Sequence, residues 1–455
     1  MMKNKIFSKV GILLAAMVLI NTAIQAQSWF NPTKSIRIST SLITEAYTQK
    51  VRPFNNDYLI STGIDTNSKY CFTVWTNGNI ILRKSTLDSA NIVVNDFTLL
   101  NNVVYFCGKR LNSQGNFIGC IGKLTVNQLL GAQGFAYQLQ DIALTEELTN
   151  IVAYQDNYNA THVVAIGHGA ATANPYGRFV SMDGTGNYYV LNSNTPSQYQ
   201  KEIFEDIAVG DVCVATVGRV YPSDSVIVRY YKKAAPEDYL SQKTYTYYSP
   251  NVALNSSSNP YEFTSHITKL PNAFMAIATS AQDNNHKDYT MINVLQEGQQ
   301  PIVASRVCYH QDKNNKVFEM DYSFEMDSLL ILHGEQISSN YVYSTLSLHL
   351  QTQPTYNTFA REIPGVINHL SVIPNKRYAL AGMEPQLNNE QILYVRQIPA
   401  FLTSCGKNIQ FNIGNGPTLG AYPYFPTQPP FTYIANWVNY TASMTQKKLT
   451  VQCKD

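Results

Sequence analysis

The stretch Asp206–Tyr231, DIAVGDVCVATVGRVYPSDSVIVRYY, decides the fold. It opens on polar residues and runs through an apolar segment (Val212–Val217) to Gly218. It then turns through Pro222-Ser223-Asp224 and enters a second apolar segment, Val226–Tyr231. Short runs rich in Val and Ile, bounded by Gly, Pro, Asp and Ser, are strand signals. Asp206-Ile207-Ala208-Val209 supplies a strand before them, and Lys243–Tyr248 (KTYTYY) supplies one after. The stretch is thus the centre of a four-stranded antiparallel unit.

The same pattern recurs along the chain. Its central strand ends at Gly63, Gly108, Gly167, Gly218, Thr279, Gly334 and Gly382, which defines seven units. A polar residue opens units two, four, five, six and seven at Asp96, Asp206, His266, Asp321 and His369, at a near-constant distance before the closing position. Unit three opens near Asn150, and an insertion at Asp156–Asn159 lengthens its gap. A fixed inner geometry with variable connections is the signature of a repeat fold whose insertions fall in loops. The turns between first and second strands carry turn residues: Leu100-Asn101-Asn102, Gly210-Asp211, Pro271-Asn272-Ala273, Met326-Asp327-Ser328 and Pro374-Asn375-Lys376. Period-two patterning dominates, and there is no sustained amphipathic helix.

These observations predict an all-β chain: a seven-bladed β-propeller of four-stranded antiparallel blades over residues 35–413. A lone four-stranded sheet cannot bury both faces, whereas radial packing against neighbours does so. An early strand at Ser35–Leu42 (SIRISTSL) is placed to complete the last blade. A parallel β-helix would need shorter, more regular coils, and paired β-sandwiches would not explain the constant inner gap. Residues 414–455 form a separate Pro- and aromatic-rich C-terminal strap. Pro417, Pro423, Pro426, Pro429 and Pro430 exclude a helix or a central strand there. Cys405–Ile413 is expected as the outer strand of the seventh blade.

The segment 1–26 reads as a signal peptide: Lys3, Lys5 and Lys9, then an apolar run from Val10 to Ile20, then a small residue at Ala26. Export is therefore expected, to the periplasm, cell surface or medium, with no later membrane span. Export permits disulfides. Of the seven cysteines, Cys107 and Cys120 lie on paired strands, and Cys405 and Cys453 bracket the C-terminal segment; both pairs are candidate disulfides. The balance of 33 basic and 31 acidic residues, without basic runs, excludes a nucleic-acid partner.

No chemistry-bearing motif stands out. There is no HExxH, P-loop, dinucleotide-binding glycine fingerprint, GxSxG or EF-hand loop, and no CxxC. No cofactor and no metal site is therefore expected. The sialidase Asp-box is absent; Ser181-Met182-Asp183-Gly184-Thr185 is its nearest fragment. His162 and His168 flank one strand at even spacing, which suits a blade rim better than a metal site. Asp96, Asp206, His266, Asp321 and His369 recur at one position. They are expected to bond a neighbouring blade's backbone, or, functionally, to form a polar ring at the channel rim that takes a cation or polar ligand. Asp88-Ser89-Ala90, Asp224-Ser225-Val226 and Asp327-Ser328-Leu329 resemble bacteroidete O-glycosylation sites.

With its Gln25-Ala26-Gln27 junction and seven repeats, the chain resembles secreted propeller-like repeat proteins of the Bacteroidetes. The resemblance implies compartment and architecture only. The expected function is that of a non-enzymatic surface or periplasmic protein binding a protein or glycan partner. The alternative is a carbohydrate-active enzyme, a lyase or glycosidase, with its site at the central channel.

Overall fold

A computed structural model of the chain describes residues 36–39, 45–55, 58–65, 69–76, 81–87, 91–131, 133–169, 177–192, 201–221, 225–248, 252–253, 264–283, 288–309, 315–337, 340–349, 359–363, 366–374, 377–384, 390–397, 408–409, 412–415, 419–424, 430–448 and 450–454. Among the described residues the chain is all-β, apart from a single-turn helix at Val126–Leu130 and one 3-10 turn at Tyr239–Ser241. Among the same residues no helix is long and apolar enough to cross a membrane. The segment 1–26, expected as a signal peptide, lies outside the described residues.

The strands pair into antiparallel sheets, each built on meanders of successive strands. Among the described residues these meanders coincide with the units read from the sequence. Their first strands are Glu45–Pro53, Ile92–Leu100, Glu147–Gln155, Lys201–Val209, Ser265–Leu270, Asn315–Ser323 and Val366–Ile373. Each first strand touches that of the next unit, and the seventh touches the first, so these strands are neighbours in one cycle. The core lies between adjacent units. Phe72 and Val74 of unit one meet Phe97 and Phe106 of unit two. Phe179 of unit three stacks on Tyr231 of unit four, with ring centroids 3.7 Å apart. Each such side chain contributes about 1.5–3 kcal/mol by leaving water, which makes every unit dependent on its neighbours.

The recurring glycine has a backbone cause. In units one, two, three, four and seven, Gly63, Gly108, Gly167, Gly218 and Gly382 pair with Thr48, Val94, Leu148, Phe204 and Ile367. In each case the very next step of the first strand carries a β-bulge. A Cβ on Gly218 would lie 2.1 Å from the Ile203 carbonyl oxygen, and one on Gly108 would lie 1.8 Å from that of Val93. Unit five has Thr279 at this place, and its pairing runs without a register shift. In unit six the bulged residue is Phe318, and Gly334 makes room for its ring. Replacing Gly218 with Ala should therefore cost about 3 kcal/mol, at the upper end for overpacking. The urea midpoint reads this directly. Gly184→Ala, whose Cβ would sit 3.5 Å from Thr161, is the matched control. Equal midpoints for the two variants would exclude the bulge as the reason for the glycine.

The C-terminal segment departs from the expected strap. It runs around the outside of the units and adds an outer strand to sheet after sheet, in reverse chain order. Asn408–Ile409 pairs with Phe359–Ile363 of unit six, and Asn412–Asn415 with Ile302–Tyr309 of unit five. Gly420–Tyr424 pairs with Lys243–Tyr248 of unit four, and Phe431–Tyr433 with Tyr188–Asn192 of unit three. Val438–Lys448 pairs on one edge with Phe135–Asp141 of unit two and on the other with Ile81–Leu87 of unit one, joining them into a nine-stranded sheet. In the sheet of unit seven, Ile36–Ser39 lies between Glu390–Gln397 and the final strand, Thr450–Lys454. The expectation that Cys405–Ile413 closes unit seven is therefore corrected. The strand at Asn408–Ile409 belongs to unit six, because the outer places in unit seven are taken by Ile36–Ser39 and Thr450–Lys454. Pro423 stands in an outermost strand, the part of a sheet where proline is tolerated.

The Cys107–Cys120 disulfide is also corrected. Cys107 lies opposite Ile121 and Cys120 opposite Gly108, one register step apart. Their side chains therefore leave opposite faces of the sheet. Cys107 packs between units two and three, Cys120 between units one and two, and both are buried free thiols. Cys405 lies outside the described residues, and with it the Cys405–Cys453 pair. Of the glycosylation-like triplets, Asp88-Ser89-Ala90 and Asp224 lie outside the described residues, while Ser225 and Ser328 are buried. Ser328 is held by the Met326 carbonyl at 2.9 Å, which rules out modification of the folded protein there.

Candidate functional site

The bulge fixes which side chain each unit turns toward the hub. The residue after it is Lys50 in unit one, Asp96 in unit two, Asn150 in unit three, Asp206 in unit four, Glu319 in unit six and His369 in unit seven. His266 holds the matching register in unit five. Lys50, Asp96, Asn150, Asp206, Glu319 and His369 line one cavity of about 120 Å³, with Arg52 and Asp321 each one alternation further along their strands. Of the residues expected as a ring, Asp96, Asp206, Asp321 and His369 share this cavity, and His266 reaches both Asp206 and Glu319 at 3.5 Å. Lys50, Arg52 and Glu319 were not anticipated. Glu319 lies on the same strand just before Asp321, which keeps the regular gap to Gly334 and so masked it.

The inner edge of each first strand presents backbone N–H groups with no strand beside them, and several ring side chains satisfy these. Asp96 accepts from Ile151 N–H of the next unit at 3.0 Å, Asp206 from Ile267 N–H at 3.0 Å, and Asp321 from Val372 N–H at 2.7 Å. His369 Nδ1 accepts from Val51 N–H at 3.3 Å, which ties unit seven to unit one. Arg52 of unit one donates to Asp96 at 3.1 Å.

The charges are closely balanced. Lys50 Nζ donates to Glu319 Oε2 at 3.2 Å, and His369 Nε2 lies 3.4 Å from the same oxygen. Burial and the nearby Lys50 push the His369 imidazolium well below its ordinary range, so this ring is neutral. Burial alone would raise Glu319, but Lys50 and His266 outweigh it and hold the carboxyl well below the carboxylate range. Burial also opposes a charge on His266, yet Asp206 and Glu319 push it up to about 10. At Asp321 burial outweighs the Val372 and Tyr322 N–H bonds and the charge of Arg52, and pushes the carboxyl up to about 6. Two carboxyls in one cavity are thus driven in opposite directions, a pattern found in acid–base sites.

His162 and His168 do not share a site. They stand at the two ends of one strand, roughly 20 Å apart at the usual rise. His162 stacks on Tyr154 and lies 3.2 Å from Asp156, whose other oxygen closes the inserted turn by accepting from Tyr158 and Ala160 N–H. His168 lies 3.7 Å from Glu147. In the Asp-box-like fragment, Asp183 Oδ1 accepts from the N–H groups of Thr185, Gly186 and Asn187, which makes it a turn residue.

No family model matches the chain, and no curated protein matches it. Among solved structures it is similar to a phage phi92 endosialidase, with a TM-score of 0.41 and 9% identity over 87% of this chain and 74% of that one. A likeness at that level says nothing of a shared reaction, and nothing in these comparisons bears on a bacteroidete origin. The expectation of a non-enzymatic binding protein is nonetheless corrected. The hub gathers acids and bases rather than the aromatic surface that a docking role calls for.

Proposed function

We propose that the chain is an exported seven-bladed β-propeller that acts as a carbohydrate-active hydrolase on acidic glycans, with its reacting groups in the hub cavity. The observation that carries this reading is the convergence of Asp96, Asp206, Glu319 and Asp321 on one buried cavity that also holds Lys50 and Arg52. Cutting a glycosidic bond takes one carboxyl to protonate the leaving oxygen and one carboxylate across the bond. Asp321, which burial pushes up to about 6, suits the first role. Glu319, charge-paired to Lys50, and Asp206 suit the second. Lys50 and Arg52 give the cavity the cations that an acidic sugar meets. A cavity of about 120 Å³ admits a ring substituent or the scissile end rather than a whole oligosaccharide, so the polymer lies across its mouth. The blade count is supported by the seven meanders and the cycle of first-strand contacts, and export by the N-terminal Lys3–Ala26 segment.

The test is reducing-end release from uronate- and sialate-containing polysaccharides by the chain lacking the segment 1–26. Glu319→Gln and Asp321→Asn should each lower the rate by roughly 10²–10⁴-fold, the usual worth of a positioned acid or base. Either of two results ends this reading: no release from any polymer, or both variants turning over like the unaltered protein.

A further inference from the structure

We infer that Asp206, His266 and Glu319 form a binding site for one divalent transition-metal ion, with zinc the best match. One ligand atom from each lies within 4.8 Å of the others. His266 Nδ1 stands 3.5 Å from Asp206 Oδ2 and 3.5 Å from Glu319 Oε1. A single N–H cannot point at two carboxylates at once, and among the described residues neither ring nitrogen of His266 makes a hydrogen bond beyond these two ion-pair contacts, although both are buried. A metal ion satisfies all three groups together. With zinc–nitrogen and zinc–oxygen bonds of about 2.1 Å, tetrahedral ligands stand about 3.4 Å apart, close to the two spacings present. One nitrogen and two carboxylate oxygens are a donor set that zinc accepts, and a fourth position is left for water.

The surroundings orient the ligands in the way metal sites require. Lys50 and His369 hold Oε2 of Glu319, the oxygen turned away from His266. Met320 N–H reaches Oε1 at 3.3 Å. Ile267 N–H fixes Asp206 Oδ2 at 3.0 Å, and Ile207 N–H fixes Oδ1 at 2.8 Å. Outer contacts of this kind set ligand direction and charge. Asp206 and Glu319 line the hub cavity, which gives the ion a way in and a place for its water. The three ligands come from units four, five and six, so the ion would join three consecutive units at the hub. This site is judged by metal binding alone, apart from the hydrolase reading, in which Asp206 and Glu319 act without an ion.

The measurement is calorimetric titration of the full mature chain with zinc after dialysis against a chelator. One ion per chain should bind at micromolar Kd or tighter, and His266→Ala should weaken it at least 100-fold. His162→Ala, at a histidine outside the cluster, should leave it unchanged. Cobalt added to the unaltered chain gives a second readout that needs no variant. Strong visible absorption from a tetrahedral ion, displaced by zinc, is expected. Absence of stoichiometric zinc binding overturns the site. So does zinc binding that survives His266→Ala, or a cobalt spectrum of the weak octahedral kind.

Discussion

A chain cut after Asn415 is expected to lose its cooperative thermal transition or to melt far below the intact protein, and to aggregate. The segment removed contains the outer strands of units four, three, two, one and seven. It also contains Tyr433, stacked on Tyr188 with centroids 4.9 Å apart, Tyr440, stacked on Tyr137 at 5.7 Å, and the buried Ala442. Trp437 covers Lys123 at 4.0 Å. Each lost ladder bond is worth about 0.5–1.5 kcal/mol net. Summed over these strands the loss is on the order of 5 kcal/mol or more, comparable with the whole stability of a folded domain. The cut also uncovers five strand edges, which recruit other chains. Thermal unfolding and light scattering check both effects. A truncated chain that stays monomeric with an unchanged midpoint would show that the outer strands merely decorate an already complete fold.

The second large effect is expected at Glu202. This residue is 1% exposed and its partner Arg229 is 2% exposed. The guanidinium donates twice, Nε to Oε1 at 2.7 Å and Nη2 to Oε2 at 2.5 Å, and lies 5.9 Å from the Phe204 ring centre. Removing one member of such a pair leaves a buried charge without its counterion, at a cost of about 3–5 kcal/mol. Glu202→Ala should therefore lower the urea midpoint strongly. Glu202→Ala combined with Arg229→Met should recover most of the loss, because the stranded charge is then gone. If the double variant falls as far as the sum of the singles, the pair is not acting as a unit. Arg229 stands in the opening stretch, yet nothing there marks it as buried. Its partner lies on the first strand of the unit, on the other side of the central strand.

What the sequence made legible was local: the apolar central strands, the positive-φ turns at Asn101-Asn102 and Asn272-Ala273, and the glycine that faces each bulge. Those signals sit within one unit. Two of the outer strands left no trace of this kind. Gly420–Tyr424 and Phe431–Tyr433 are short and Pro-flanked, and their partners, Lys243–Tyr248 and Tyr188–Asn192, lie far back in the chain. Period-two reasoning has nothing to grip on a single edge strand. The hub was half legible. Asp96, Asp206, His266 and His369 stood out because they recur at one offset, whereas Lys50 belongs to the unit whose opening was not marked and Glu319 was hidden behind Asp321. Cys107 and Cys120 misled for the opposite reason. Their strands do pair, and only the exact register turns the thiols apart.

The meeting of Ile36–Ser39 with two much later strands in the sheet of unit seven bears on how the molecule is made. Ile36–Ser39 leaves the ribosome long before either of its partners, Glu390–Gln397 and Thr450–Lys454. At about 5–20 residues per second the leading strand waits tens of seconds for them. Pairing over such separations is also slow in itself. Unit seven therefore stays incomplete while the units between are being made, and its sheet is finished only after Thr450–Lys454 has appeared.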